Sequence, residues 1–107
     1  MSADDIWKIN LRGYIIHTYR GTLTSQPGLL KDMVENKIWI KRDDKELVFF
    51  DRHHEYFHTI LDYLRDGMVY LPDDFERLTK ILEEARFYKI QGLIQAVDHV
   101  MRGRGFQ

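Results

Sequence analysis

Cysteine is absent from the 107 residues, which removes disulfides and every thiolate metal site and fits a reducing compartment, the cytoplasm with the nucleus as an alternative. There is also no excess of positive charge. Sixteen Lys and Arg stand against seventeen Asp and Glu, a formal net charge of −1, so the broad positive field of non-specific nucleic-acid binding is missing. No apolar run approaches the roughly 18 to 20 residues of a membrane span, and Met1 to Asp5 lacks the basic and apolar regions of a signal peptide. The expectation is a soluble chain with neither nucleic acid nor an inserted membrane segment among its partners. Internal repeats, low-complexity segments and a G-x-S-x-G nucleophile elbow are lacking as well.

What remains is the size of one domain, with 44% hydrophobic residues to fill a single core. Trp7, Ile9 and Leu11 alternate with Lys8, Asn10 and Arg12, the period of a half-buried strand, and Gly13 can turn it into a second strand from Tyr14 to Tyr19. Thr22 to Ser25 can begin a short helix that Pro27-Gly28 interrupts, after which Leu29, Leu30, Met33 and Val34 recur at helical spacing. Ile38 to Ile40 and Leu47 to Phe50 are rich in β-branched and aromatic residues around the charged stretch Lys41 to Lys45, which predicts a second hairpin.

Tyr56, Phe57, Ile60, Leu61 and Leu64 mark one face of a helix from His53 to Asp66, stopped by Gly67. Met68 to Leu71 predicts a short strand, and Asp73 with Glu76 has the offset of a capping box. The next helix, running to about Tyr88, would bury Phe75, Leu78, Ile81, Leu82 and Ala85. A last helix would use Leu93, Ile94, Val97, Val100 and Met101. Strands first and helices behind give an α+β domain over residues 5–102, with a disordered tail at 103–107.

One short motif points to chemistry. His54-Glu55-Tyr56-Phe57-His58 reads H-E-x-x-H, by which a helix offers two zinc ligands one turn apart with a glutamate base between them. At about 100° per residue, however, the apolar side of this helix centres between Ile60 and Leu64, and both histidines fall on its flank beside Asp62 and Arg65. Asp62, Glu76, Glu83 and Glu84 are third-ligand candidates, but the extended H-E-x-x-H-x-x-G-x-x-H pattern is absent. The histidines are therefore expected to face solvent or a neighbouring chain. No metal, cofactor or catalytic residue is assigned, and a zinc metalloprotease is kept only as the remote alternative.

The longer pattern resembles the BTB/POZ domains of the potassium-channel-tetramerisation (KCTD) type. It comprises Trp7 to Gly13, Gly21-Thr22-Leu23-Thr24, Phe50-Asp51-Arg52, then Phe57, Ile60-Leu61, Tyr63-Leu64-Arg65 and Gly67. It continues through Leu71 to Phe75, Glu84-Ala85, Phe87-Tyr88 and Gln91-Gly92-Leu93. Leu64 to Gly67 and Gln91 to Leu93 look most like the BACURD branch. The family's glycine pair after the first strand is here Arg12-Gly13, and its D-R-D-P is here Asp51-Arg52-His53-His54.

The resemblance implies a BTB/POZ fold and a homo-oligomerising protein-interaction domain, a homo-tetramer or homo-pentamer, acting as a cullin-3 ubiquitin-ligase substrate adaptor. An assembly-only tetramerisation domain of a channel or receptor-associated protein is the alternative. Arg12, Asp51, Arg52 and Arg65 are candidates for ion pairs at the oligomer interface, with pairs inside one chain as the competing reading. Met33, Val34, Ile38 and Trp39, with Tyr88 nearby in the family's arrangement, are candidates for the cullin contact, with the core as their competing role. Met33-Val34-Glu35 matches the hydrophobic-x-glutamate letters of broader BTB proteins, slightly early in the chain.

Overall fold

A computed structural model describes residues 2–105. Two strands open the chain, β1 (Ile6–Leu11) and β2 (Tyr14–Tyr19), paired antiparallel with Ile9 opposite Ile16. Arg12 and Gly13 both have positive φ, 53° and 97°, as a two-residue type I′ turn demands. Asn10 helps to hold it by accepting a hydrogen bond from Gly13 N–H at 2.6 Å. Two short helices follow, α1 (Arg20–Leu23) and α2 (Leu29–Val34), then β3 (Val48–Phe50) and three longer helices, α3 (His54–Asp66), α4 (Phe75–Phe87) and α5 (Gln91–Gly103). β3 joins β1 in parallel, giving the mixed sheet order β2-β1-β3 and the α+β fold expected.

Several expectations are corrected. The second hairpin is reduced to one bridge, Arg42 to Val48, because the turn falls later than predicted. The Asp43 carboxylate accepts from Lys45 N–H at 2.8 Å and Leu47 N–H at 2.9 Å, so residues 41–43 rather than Ile38 to Ile40 meet the strand. Its bond from the Asn10 amide, with that from Leu47, holds this carboxyl below its usual range. Met68 to Leu71 forms no strand. Its alternation survives as Val69 and Leu71 packed on the core and Met68 and Tyr70 exposed, but no described strand lies alongside.

Third, α4 is capped by Asp74 and not Asp73, its carboxylate accepting from Arg77 N–H at 3.1 Å, and Phe75 in the first turn is exposed rather than buried. Fourth, α5 continues through Gly103, and Arg104 reaches back to Asp73 at 2.7 Å, so the tail does not begin at 103. The remainder of the predicted tail, residues 106 and 107, lies outside the described residues. The first helix also starts earlier than Thr22, at Arg20.

The core joins the inner sheet face (Ile9, Leu11, Ile16) to Leu23, Leu30, Phe57, Ile60, Leu78, Leu93 and Val97. At its centre the ring of Tyr88 is fully buried, edge-on to Phe50, Phe57 and Phe87 at 5.5, 5.2 and 4.9 Å. Edge-to-face contact suits the quadrupoles of these rings. The Tyr88 hydroxyl has no hydrogen-bond partner among the described residues. Burial first, and then the charge of Glu84, holds the phenol well above its usual range.

Beside this cluster, Arg52 and Glu84 form a bidentate pair. Arg52 Nε donates to Oε1 at 3.1 Å and Nη2 donates to Oε2, while the guanidinium lies 4.4 Å over the Phe87 ring. Its bonds to the Glu84 carboxylate hold the Arg52 guanidinium above its already high range. Glu84 is buried on the inner face of α4, the one buried charged residue among those described.

Two glycines fit close approaches. Gly28, before α2, has φ 156° and ψ −172°, and a Cβ there would lie 2.8 Å from the Tyr88 carbonyl oxygen. The same carbonyl accepts from Leu29 N–H at 2.9 Å. At Gly92 a Cβ would clash with the Tyr63 hydroxyl, so the glycine allows α5 its close approach to α3 at this point.

Three outcomes follow from this packing, each read from urea or thermal unfolding. Gly28→Ala places a side chain in a glycine-only backbone region against a carbonyl and lowers stability by about 2 to 3 kcal/mol. Arg52→Ala strands a buried carboxylate and costs about 3 kcal/mol, whereas the double change Arg52→Met with Glu84→Leu recovers most of that loss. Tyr88→Phe deletes an unpartnered hydroxyl and leaves stability equal or higher by about 1 kcal/mol; a loss above that size would show that the hydroxyl has a partner.

Candidate functional site

The residues nominated for partner contact divide sharply. α2 turns Leu30, Met33 and Val34 inward at i, i+3 and i+4, leaving Met33 and Val34 at 5% and 3% exposure. Tyr88 is the centre of the aromatic cluster. These three are core residues in the chain and offer no contact surface, which corrects their nomination. The hydrophobic-x-glutamate letters at 33–35 are likewise not a surface motif, since two of the three are inside, and Glu35 pairs with Lys37 at 3.2 Å.

Ile38 and Trp39 differ. Asn36, in the left-handed region at φ 58°, ends α2 as Lys37 N–H donates back to Asp32 at 2.8 Å. The chain then leaves the core with Trp39 82% exposed and Ile38 exposed beside it, while Ile40 is partly buried. An exposed tryptophan with an aliphatic neighbour, flanked by Lys37 and Lys41, presents an apolar contact with a basic rim.

All four ion-pair candidates have partners within the chain. Arg12 Nε donates to Asp51 at 2.6 Å, both side chains well exposed. Arg65 binds Asp66 through two bonds of 2.8 Å and lies 3.6 Å from Asp62. Arg52 is committed to buried Glu84. Arg12, Asp51 and Arg65 remain surface groups, whereas Arg52 is part of the core's edge.

The H-E-x-x-H residues do not converge. The His54 ring stacks on Tyr14 with centroids 3.5 Å apart, and His58 stands perpendicular to it at 6.5 Å. Glu55 lies along the opposite groove with Tyr70 and Pro72. Among the described residues, no group of three or more His, Asp or Glu side chains is placed to hold a metal ion. No helix among them is long and apolar enough to cross a membrane.

Packing also builds a feature that reading along the chain had missed. A groove of about 330 Å³ runs between β2 and the flank of α3, with His17, Thr18 and Tyr19 on one side and His58, Leu61, Asp62 and Arg65 on the other. Some forty positions separate its two walls, and the H-E-x-x-H letters that include His58 on one wall say nothing of the strand on the other.

The chain matches the family model described as BTB/POZ domain over residues 7–97. It is 38% identical over 91 residues to the BTB/POZ domain-containing protein KCTD21 of Mus musculus, covering 84% of this chain and 35% of that protein. It is 35% identical over 88 residues to the BTB/POZ domain-containing adapter for CUL3-mediated RhoA degradation protein 1 of Danio rerio, covering 82% and 27%. With the adapter of the same description numbered 2 in Homo sapiens, identity is 29% over 97 residues, covering 91% and 31%. The chain thus spans about a third of the length of the curated relatives it matches. Strand order, helix succession and these matches agree, and the chain belongs to the BTB/POZ domain family, of the KCTD type near the adapters for CUL3-mediated RhoA degradation.

Proposed function

We propose that the chain is a non-catalytic protein-interaction domain of the cytoplasm or nucleus that assembles with copies of itself, as a ring of four or five, and docks cullin-3 as a ubiquitin-ligase adaptor. The observation carrying this reading is its likeness over most of its length to relatives described as CUL3 adapters. The exposure of Trp39 and Ile38 supports it further, because they offer the anchor such a contact requires. In the ring, Arg12, Asp51 and Arg65 exchange or share their partners across subunits. Exposed pairs are screened by solvent and contribute little, so the exchange costs little. Arg52 takes no part in the seam, since leaving Glu84 would uncover a buried charge.

Native mass spectrometry of the chain, alone and with the cullin-3 N-terminal region, tests the proposal. The expected result is a closed homo-oligomer that binds cullin, with Trp39→Ala weakening cullin binding about 30-fold, or about 2 kcal/mol, while the oligomer stays intact. A monomer that ignores cullin sinks the whole reading. An oligomer that ignores cullin leaves assembly alone, the channel- or receptor-associated role.

A further inference from the structure

The sheet has two edges, and only one is closed. Beside β3, Phe49 N–H donates to the Lys41 carbonyl at 2.9 Å and Asp43 N–H to that of Leu47 at 2.8 Å, so the loop of residues 41–47 covers that side. β2 is bonded to β1 alone. No other described strand pairs with Tyr14 through Tyr19, of which Tyr19 also caps the start of α1. Natural sheets blunt such edges with proline, charged side chains, bulges or a covering element. The strand Y-I-I-H-T-Y has no proline, no Lys, Arg, Asp or Glu, and an unbroken register with β1.

Beside that edge lies the β2–α3 groove, lined on the strand side by four consecutive residues, Ile16 to Tyr19. Successive strand residues point to opposite faces, so a cavity that all four line reaches the β2 edge, and it continues past the end of the strand to Ile6 of β1 and Thr22 of α1. Its far wall is α3, with Leu61 as an apolar contact and His58, Asp62 and Arg65 on the rim. Edge and wall together form the geometry in which an extended peptide adds a strand: main-chain bonds on one side, side-chain selection on the other.

We propose that this groove takes an extended peptide from a partner protein as an added strand on β2, a segment apolar at alternate positions and carrying a carboxylate. Alternation follows from the pleat, which turns every second side chain toward Leu61 and Ile16. The carboxylate follows from the rim: His17, His58 and Arg65 supply N–H donors, against the single acid Asp62, which already lies 3.6 Å from Arg65. A second copy fits less well, because β2 against β2 would bring two α3 flanks together, like groups facing like. The site shares only Arg65 with the candidate subunit pairs and nothing with Ile38 and Trp39.

The experiment selects peptides about seven residues long, a typical strand length, from a random phage-displayed library on the full 107-residue chain. The best binder is then resynthesised with fluorescein for anisotropy. Expected are sequences with alternating apolar positions and an Asp or Glu, and peptide-dependent protection from amide exchange along residues 14–19. Methylating alternate peptide-backbone nitrogens, or combining His17→Glu with His58→Glu in a chain of unchanged melting temperature, weakens binding about tenfold or more, and Trp39→Ala does not.

The proposal is overturned by a library that yields no binder, by binders without alternation, by indifference to backbone methylation, or by protection elsewhere on the chain. It is equally overturned if protection of residues 14–19 rises with chain concentration in the absence of peptide, which would make a second copy the occupant.

Discussion

The burial of Tyr88 ties together elements that their local sequences would leave apart. Its ring meets Phe50 of β3, Phe57 of α3 and Phe87 of α4, and its carbonyl receives the first amide of α2. One residue thus sets the depth of β3, the approach of α2 and the end of α4. The contribution comes from ring volume and backbone, since the hydroxyl is unpartnered among the described residues. Lys89 follows in the left-handed region at φ 57°, and Ile90 N–H returns to the Ala85 carbonyl at 3.0 Å, so the chain reverses immediately beyond the buried ring. The glycine at position 28 is a consequence of this arrangement rather than a separate feature.

A buried charge at the edge of such a cluster requires a fixed partner. Glu84 would be costly to leave bare, and the planar guanidinium of Arg52 satisfies both its oxygens while covering the Phe87 face. Replacing a buried pair by apolar side chains is often neutral, so the pair contributes less net stability than specificity: it fixes the start of α3 against α4. That use of Arg52 explains why one of the four ion-pair candidates behaves unlike the rest.

Much of the fold was legible along the chain because its main elements carry their own signals. The alternation of Trp7, Ile9 and Leu11, the helical spacing of Phe57, Ile60 and Leu64, and Gly67 at φ 77° each need no distant information. Long-range competition decided the failures. Ile38 to Ile40 has strand composition, but the Asp43 carboxylate moves the turn beyond it and β1 takes β3 as its neighbour. Glu84 was read as a candidate third ligand and not as a buried ion-pair partner, because Arg52 lies 32 positions away. For the candidate site, residue type alone could not separate Met33 and Val34 from Ile38 and Trp39. The difference is where α2 ends, after Val34, with Asn36 in the left-handed region turning the chain outward.

The H-E-x-x-H letters show the same limit in reverse. Two histidines four apart on a helix always share a side, so the motif constrains only their mutual direction, not what they face. Here the side they share lies between the core and solvent, next to β2, and Tyr14 takes one ring into a stack. A zinc helix must direct this side into a cleft with a third donor opposite, whereas what stands opposite the α3 flank is strand β2, with Thr18 and Tyr19 beside a single further histidine, His17. The flank lies along β2, where His54 stacks on Tyr14 and His58 lines the groove, so the two rings stand perpendicular and do not converge on a point.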